Sequence, residues 1–225
     1  VGYMLSTAGY DCLALNALVK AGVLESLGKP LGVGKESDVY DALTQNGERV
    51  AVKFHRLGRV SFRQTRRLRG YLLNRRHASW LYQSRLAAEK EVEALKLVYP
   101  CGVSVPKPIA HNRHVVVMGM IEGECLFRFT EIPNPEEILD EILENVRKAY
   151  VKAGVIHGDL SEFNVVLASD WHVLIIDWPQ FVRTDHPNAD FLLKRDIRNV
   201  LNFFKRKFKI ARDLQEALNY VTTPS

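Results

Sequence analysis

At 225 residues, 47% hydrophobic and 25% charged, the chain can bury a substantial core as one domain or as two lobes, which excludes a disordered protein. Cys12, Cys101 and Cys125 are scattered and lack CxxC or Cys/His spacing, so neither a disulfide framework nor a structural zinc site is expected, and a reducing, cytoplasmic setting fits. The net charge of +5 is uneven: residues 54–88 hold nine arginines and no Asp or Glu. The remainder is therefore acidic, and the basic window points to a polyanionic partner.

In chain order, Cys12, Leu15, Leu18 and Val19 repeat at helical spacing and predict a short helix over 11–21, capped by Gly22. A glycine-bearing turn at 31–35 leads into a strand over 37–43. A second strand over 49–54 puts Val50, Val52 and Phe54 on one face and Lys53 on the other. After the arginine window, a helix is predicted over 84–99, ended by Pro100 and Gly102, then a strand over 115–120 with Gly119 and Gly123 in a connector. Ile138, Ile142, Val146 and Tyr150 mark a helix over 135–153. A hairpin over 165–167 and 172–176 and helices over 188–208 and 211–221 complete the chain. The apolar runs at 115–121 and 173–176 are too short to cross a bilayer and no signal peptide is legible, so a soluble chain without a membrane partner is expected. The start at Val1, in mid-pattern, suggests missing upstream residues.

The densest chemistry lies at His157-Gly158-Asp159-Leu160-Ser161-Glu162-Phe163-Asn164, followed by an apolar strand and Ile176-Asp177-Trp178. An acid, an amide oxygen five residues on and a second acid behind a strand are the parts that position a phosphoryl acceptor and hold magnesium on a nucleotide. A phosphotransferase or ATPase is expected. Gly32-Val33-Gly34-Lys35-Glu36-Ser37 could bring backbone N–H groups to phosphates, although alone it reads equally as a hairpin turn. Lys53, on a following strand, suits non-transferred phosphates paired with a helix carboxylate. Among three nearby acids, Glu93 has a wet face and Glu89 a mixed one. Glu91 projects among Ala87, Ala88, Ala94 and Leu95, where an acid needs a buried partner, and is assigned to Lys53.

These segments, with Gly32 to Tyr40 (GVGKESDVY), Val52 to Gly58 (VKFHRLG), Ser79-Trp80-Leu81, residues 84–88, Val105-Pro106-Lys107-Pro108, Ile176 to Gln180 and His186 to Ala189, resemble the second subfamily of the RIO atypical protein kinases over about residues 32–208. The resemblance implies an α+β, bilobal protein-kinase-like fold with a small β-rich N-lobe and a reduced helical C-lobe. Residues 1–28 would be the end of a winged-helix domain and linker, 29–120 the N-lobe with an arginine-rich insertion over 55–83, and 121–225 the C-lobe. By the same resemblance, Asp159 is the catalytic acid and Asn164 and Asp177 are magnesium ligands, with Asp177 also a transient phosphoryl acceptor. Lys53 and Glu91, with Gly32, Gly34 and Ser37 in the nucleotide loop, serve the phosphates. Met118 is the gatekeeper, and the backbone of Gly119 and Met120 receives adenine; Gly119 stands where relatives often have Glu.

The implied cofactors are ATP and Mg2+, with Mn2+ as a substitute. The implied function is serine/threonine kinase or ATPase action in small ribosomal subunit maturation, on pre-ribosomal particles and their rRNA, with ribosomal or assembly-factor proteins as acceptors. No long activation segment or Ala-Pro-Glu follows Asp177, which favours ATP hydrolysis or autophosphorylation over ordinary protein phosphorylation. Arg56, Arg59, Arg63, Arg66, Arg67, Arg69, Arg75 and Arg76 are the candidate RNA contacts; the competing reading is a solvated segment whose arginines pair with acids elsewhere. Two rival functions are an aminoglycoside-type small-molecule phosphotransferase and a non-catalytic ATP-binding assembly factor.

Overall fold

The computed structural model describes residues 5–58 and 80–224. The chain divides into two units: residues 1–92 with 107–120, and residues 93–106 with 121–225.

In the first unit, alternation along β3 (Arg49–His55) organises everything else. Strands β1 (Ser26–Val33), β2 (Ser37–Leu43), β3, β5 (Val115–Gly119) and β4 (Pro108–Asn112) form an antiparallel sheet in that order. Val50, Val52 and Phe54 pack with Val115 and Val117 under helix α1 (Thr7–Lys20), which contributes Ala14 and Leu18. On the opposite face Ala51, Val116 and Met118 meet Ala88 and Val92 of helix α2 (Trp80–Val98). The period of two thus delivers Lys53 to the α2 face.

Helix α1 begins where the Ser6 hydroxyl accepts from the Gly9 N–H at 3.1 Å and ends at Gly22. Residues of this helix, expected to close a preceding domain, share the core of the sheet. Strand β1 is not among the predicted elements: the turn expected over 31–35 shortens because the strand continues through Val33. Pro30 and two register shifts suit its place at the sheet edge. Strand β4 is likewise additional to the predicted set.

The second unit is built around helices α3 (Pro135–Arg147), α4 (Ala189–Phe208) and α5 (Leu214–Thr222). Their apolar stripes enclose Leu126, Val155, Leu160, Val165, Ile175 and Trp178 in one core. Beside them lie a three-stranded sheet of β6 (Gly123–Cys125), β8 (Val165–Ala168) and β9 (Val173–Ile175), and the short pair β7 (Val155–Ile156) and β10 (Val182–Arg183). The helix predicted over 135–153 stops being α-helical at Arg147. A wider turn over Lys148–Lys152 follows, in which the Ala153 N–H donates to the Lys148 carbonyl. Buried Asn145 accepts from the Ser104 N–H at 2.6 Å, and the Ser104 carbonyl accepts from Ile175 at 2.8 Å, so α3 fixes the end of β9. Among the described residues, no helix is long and apolar enough to cross a membrane.

Candidate active site

In the first unit, Lys53 donates from Nζ to Glu91 Oε1 at 2.6 Å, and His55 Nε2 lies 2.6 Å from Glu91 Oε2. All three side chains are buried. Of the three acids on α2, Glu93 is exposed and Glu89 half-buried; only Glu91 faces the core. Its burial opposes ionisation, but the Lys53 charge and the His55 hydrogen bond outweigh that and take its carboxyl down to about 2. His55 is a site residue that sequence reasoning missed. It sits two residues beyond Lys53 and therefore on the same strand face, which is the available signal.

The turn before β2 is closed by the Gly34 N–H donating to the Ser37 carbonyl at 2.8 Å. A Cβ placed on Gly32 would meet no atom beyond its two chain neighbours within 4 Å, so the backbone there faces open space. Met118 is buried beside Ala51, Ala88 and Val92. The Gly119 N–H is spent on the Lys107 carbonyl at 2.8 Å, so this backbone donor, expected to face adenine, already has a partner within the chain.

The basic segment is treated unevenly. Arg56 does not present its charge to solvent: its guanidinium meets Asp11 at 2.5 and 2.9 Å and Asp38 at 3.0 Å. For this arginine the pairing with acids elsewhere in the chain holds, and its side chain is largely withdrawn from solvent. Arg59, Arg63, Arg66, Arg67, Arg69, Arg75 and Arg76 lie outside the described residues. Gly58 lies against the Trp80 ring, so closely that a Cβ would sit 2.1 Å from it.

In the second unit, the loop after β7 carries exposed Asp159 and buried Asn164. The Asn164 Nδ2 donates to the Asp159 carbonyl at 2.8 Å, which turns its Oδ1 to the other side of the amide. His157 is the strut between the two acid-bearing segments. Its Nε2 donates to the Ile176 carbonyl at 3.0 Å, and its Nδ1 accepts from the Asp159 N–H at 3.3 Å; this pattern fixes the neutral Nε2–H tautomer. Asp177 holds the left-handed conformation, with φ of 67°, a backbone state costly for a residue with a side chain and concentrated at functional positions. Immediately after it, Trp178 is buried, donates to the Ile175 carbonyl and packs on the His157 ring.

Helix α4 anchors the same loop through further residues that sequence reasoning missed. Asp196 Oδ2 accepts from the Gly158 N–H at 2.7 Å, Arg195 donates to the Gly158 carbonyl, and Asn199 Nδ2 donates to the Leu160 carbonyl at 3.2 Å. Burial pushes the Asp196 carboxyl up to about 7, against the opposing pull of the Arg195 charge and the Gly158 N–H.

An amide oxygen and one carboxylate suit Mg2+, which keeps several waters and takes its remaining ligands from substrate phosphates. Among the described residues no group of three or more His, Cys, Asp or Glu could hold a metal ion by itself.

The RIO domain model matches residues 38–217. The chain belongs to the RIO family. It is 49% identical to the RIO-type serine/threonine-protein kinase Rio2 of Methanocaldococcus jannaschii over 98% of its own length and 84% of that protein. It is 42% identical to the serine/threonine-protein kinase rio2 of Schizosaccharomyces pombe, over 95% of this chain and 62% of that relative. The Rio2 kinase of Chaetomium thermophilum, solved as an ADP/Mg2+-phosphoaspartate complex, superposes with a TM-score of 0.81 at 35% identity, covering 99% of this chain and 69% of that one. This RIO member therefore has the kinase-like fold, and these three relatives bear the name of the second subfamily.

Proposed function

We propose that this chain is a Mg2+- and ATP-dependent serine/threonine kinase and ATPase. The reading is carried by the His157 strut, which ties the segment bearing Asp159 to the segment bearing Asp177 within one unit. Lys53, paired with Glu91, neutralises nucleotide phosphates, and the backbone of Gly32, Gly34 and Ser37 lies along them. Met118 bounds the adenine position. Asn164 Oδ1 and the Asp177 carboxylate would hold Mg2+, which when bound would offset negative charge on the phosphate oxygens.

Asp159 orients the attacking hydroxyl and takes up its proton. The C. thermophilum Rio2 kinase has been captured as a phosphoaspartate with ADP and Mg2+, which supports Asp177 itself as an acceptor here. On that route a carboxylate oxygen bonds to the γ-phosphorus, the bond to the β-bridging oxygen breaks and ADP leaves. Water then cleaves the acyl phosphate and releases inorganic phosphate. We further assign this activity to cytoplasmic maturation of the small ribosomal subunit, with pre-ribosomal rRNA and its ribosomal and assembly-factor proteins as partners. The arginines of the 59–76 segment are the candidate rRNA contacts, and Mn2+ is a candidate replacement for Mg2+. The match to Rio2 kinases supports this reading over the aminoglycoside-type alternative.

Incubation with γ-labelled ATP and magnesium, with and without small-subunit precursor particles, tests the proposal. Hydroxylamine-labile label on the protein is the expected signature of the Asp177 route, and acid-stable phosphoserine that of kinase action. Asp159→Ala is expected to abolish turnover and spare nucleotide binding. Nucleotide binding by the parent chain without any turnover or label would leave the non-catalytic assembly factor standing instead.

A further inference from the structure

Arg56 stands where three stretches of the first unit meet. Its Nη1 and Nη2 donate to the two oxygens of Asp11 on α1, and its Nε donates to Asp38 Oδ2 at the start of β2. Its backbone N–H donates to the Glu36 carbonyl at 2.6 Å. Water has little access to this arrangement: the side chains of Arg56, Asp38 and Asp11 are 9%, 4% and 22% exposed. Asp11 is held from a second side by His114, whose Nε2 lies 2.7 Å from its Oδ1 while Tyr10 of α1 stacks on the ring.

A guanidinium is a rigid planar fork, so three of its donors used on two carboxylates fix where those carboxylates stand relative to each other. Glu36 and Asp38 flank Ser37 at the base of the turn assigned to ATP phosphates. Through one residue, the seat of α1 and the stem of that turn become a single rigid body.

We propose that Arg56 is a positioning residue for nucleotide binding, coupling the docking of α1 through Asp11 to the geometry of the turn at residues 32–37. The inference rests on the nucleotide-binding reading above and adds to it a role for α1, a helix that itself carries none of the assigned site residues. Loosening Asp11 lets Arg56 tilt, and the tilt moves Asp38 and Glu36 with it. Arg56→Lys keeps the charge and loses the fork, so it can satisfy one carboxylate at a time.

The test uses the full chain and titrates ATP with magnesium into the parent, Asp11→Asn, Arg56→Lys, Asp38→Asn and the Asp11→Asn/Asp38→Asn double variant, alongside steady-state turnover. Asp11→Asn and Arg56→Lys are each expected to weaken ATP binding roughly tenfold with kcat changed less than about twofold, and the Asp11 and Asp38 effects are expected to be non-additive. Unchanged ATP affinity with a lowered melting temperature, or strict additivity, would overturn the proposal and leave Arg56 a structural residue. Should Asp38→Asn fail to fold, Asp11→Asn and Arg56→Lys decide the matter alone. A parent chain that binds no ATP would bring down the nucleotide reading and this inference together, whereas a parent that binds beside equally competent variants brings down the inference only.

Discussion

Two buried helical acids, Glu91 of α2 and Asp196 of α4, are 2% and 1% exposed, yet their surroundings drive them in opposite directions. Glu91 faces an ammonium and an imidazole, and its carboxyl falls to about 2. Asp196 faces backbone N–H groups and a guanidinium that is 34% exposed and partly spent on the Gly158 carbonyl; its carboxyl rises to about 7. Burial costs both ions, and the difference lies in how much full positive charge is buried with them. The first arrangement holds a buried cation in a fixed place. The second holds the backbone of a loop in place.

The sharpest way to break this comparison is pH. For Glu91 the folded value lies below the ordinary 4.5, so its stabilisation is present above about pH 4.5 and is lost as pH falls toward about 2. For Asp196 the folded value lies above the ordinary 3.8, so the folded state binds the extra proton and stability declines as pH rises from about 4 to about 7. Neither Glu91→Gln nor Asp196→Asn titrates. The stability of the parent relative to Glu91→Gln is therefore expected to shrink as pH falls, and relative to Asp196→Asn to shrink as pH rises, each by up to about 3–4 kcal/mol. Denaturant unfolding of the three proteins from about pH 2 to about pH 8 measures both trends; parallel trends would show that the two sites are not electrostatically distinct.

Catalysis separates the sites next. Asp196→Ala removes the acceptor of the Gly158 N–H and is expected to lower kcat roughly a hundredfold, through misplacement of Asp159, while ATP affinity stays near the parent value. An equal loss in binding and in turnover would mean that α4 supports the fold and not the loop in particular. Gly158→Ala attacks the same loop from its other side. Gly158 has φ of 77°, and a Cβ there would lie 2.4 Å from the Gln180 carbonyl oxygen, so a cost of about 2–3 kcal/mol in unfolding free energy is expected.

What the sequence reveals follows the same division. Lys53 falls on the correct face of β3 because Val50, Val52 and Phe54 alternate with it, and Glu91 separates from Glu89 and Glu93 by its alanine and leucine neighbours. The same test applied to α4 exposes Asp196, whose helical neighbours are Leu192, Leu193, Asn199 and Val200. It escapes notice because no cation-bearing strand precedes it to suggest a partner. Its closest partner is the Gly158 backbone amide, which leaves no mark in composition, and the guanidinium it meets belongs to its own chain neighbour, Arg195. Strand β1 escapes for a related reason: it is exposed throughout and carries Gly28, Pro30 and Gly32, so neither alternation nor β-propensity advertises it, and only pairing with β2 makes it a strand. The engagement of Arg56 with Asp11, forty-five positions away, is a tertiary contact that no local period encodes.

The smallest effect tests whether Glu91 needs both of its partners. Lys53 and His55 each take one carboxylate oxygen, so on the proposed reading, in which Lys53 turns toward a phosphate, His55 would keep the buried acid hydrogen-bonded. Without the imidazole, Glu91 holds Lys53 more tightly, because leaving would strand an ion away from water. His55→Ala is thus expected to raise the KM for ATP roughly fivefold with little change in kcat, the size of one lost hydrogen bond to a charged group. His55→Gln, which retains an N–H donor on a side chain of similar reach, is expected to recover most of that loss. A fall in kcat with KM unchanged would assign His55 instead to the transfer step, and failure of glutamine to rescue would show that the ring, and not its N–H, is what Glu91 requires.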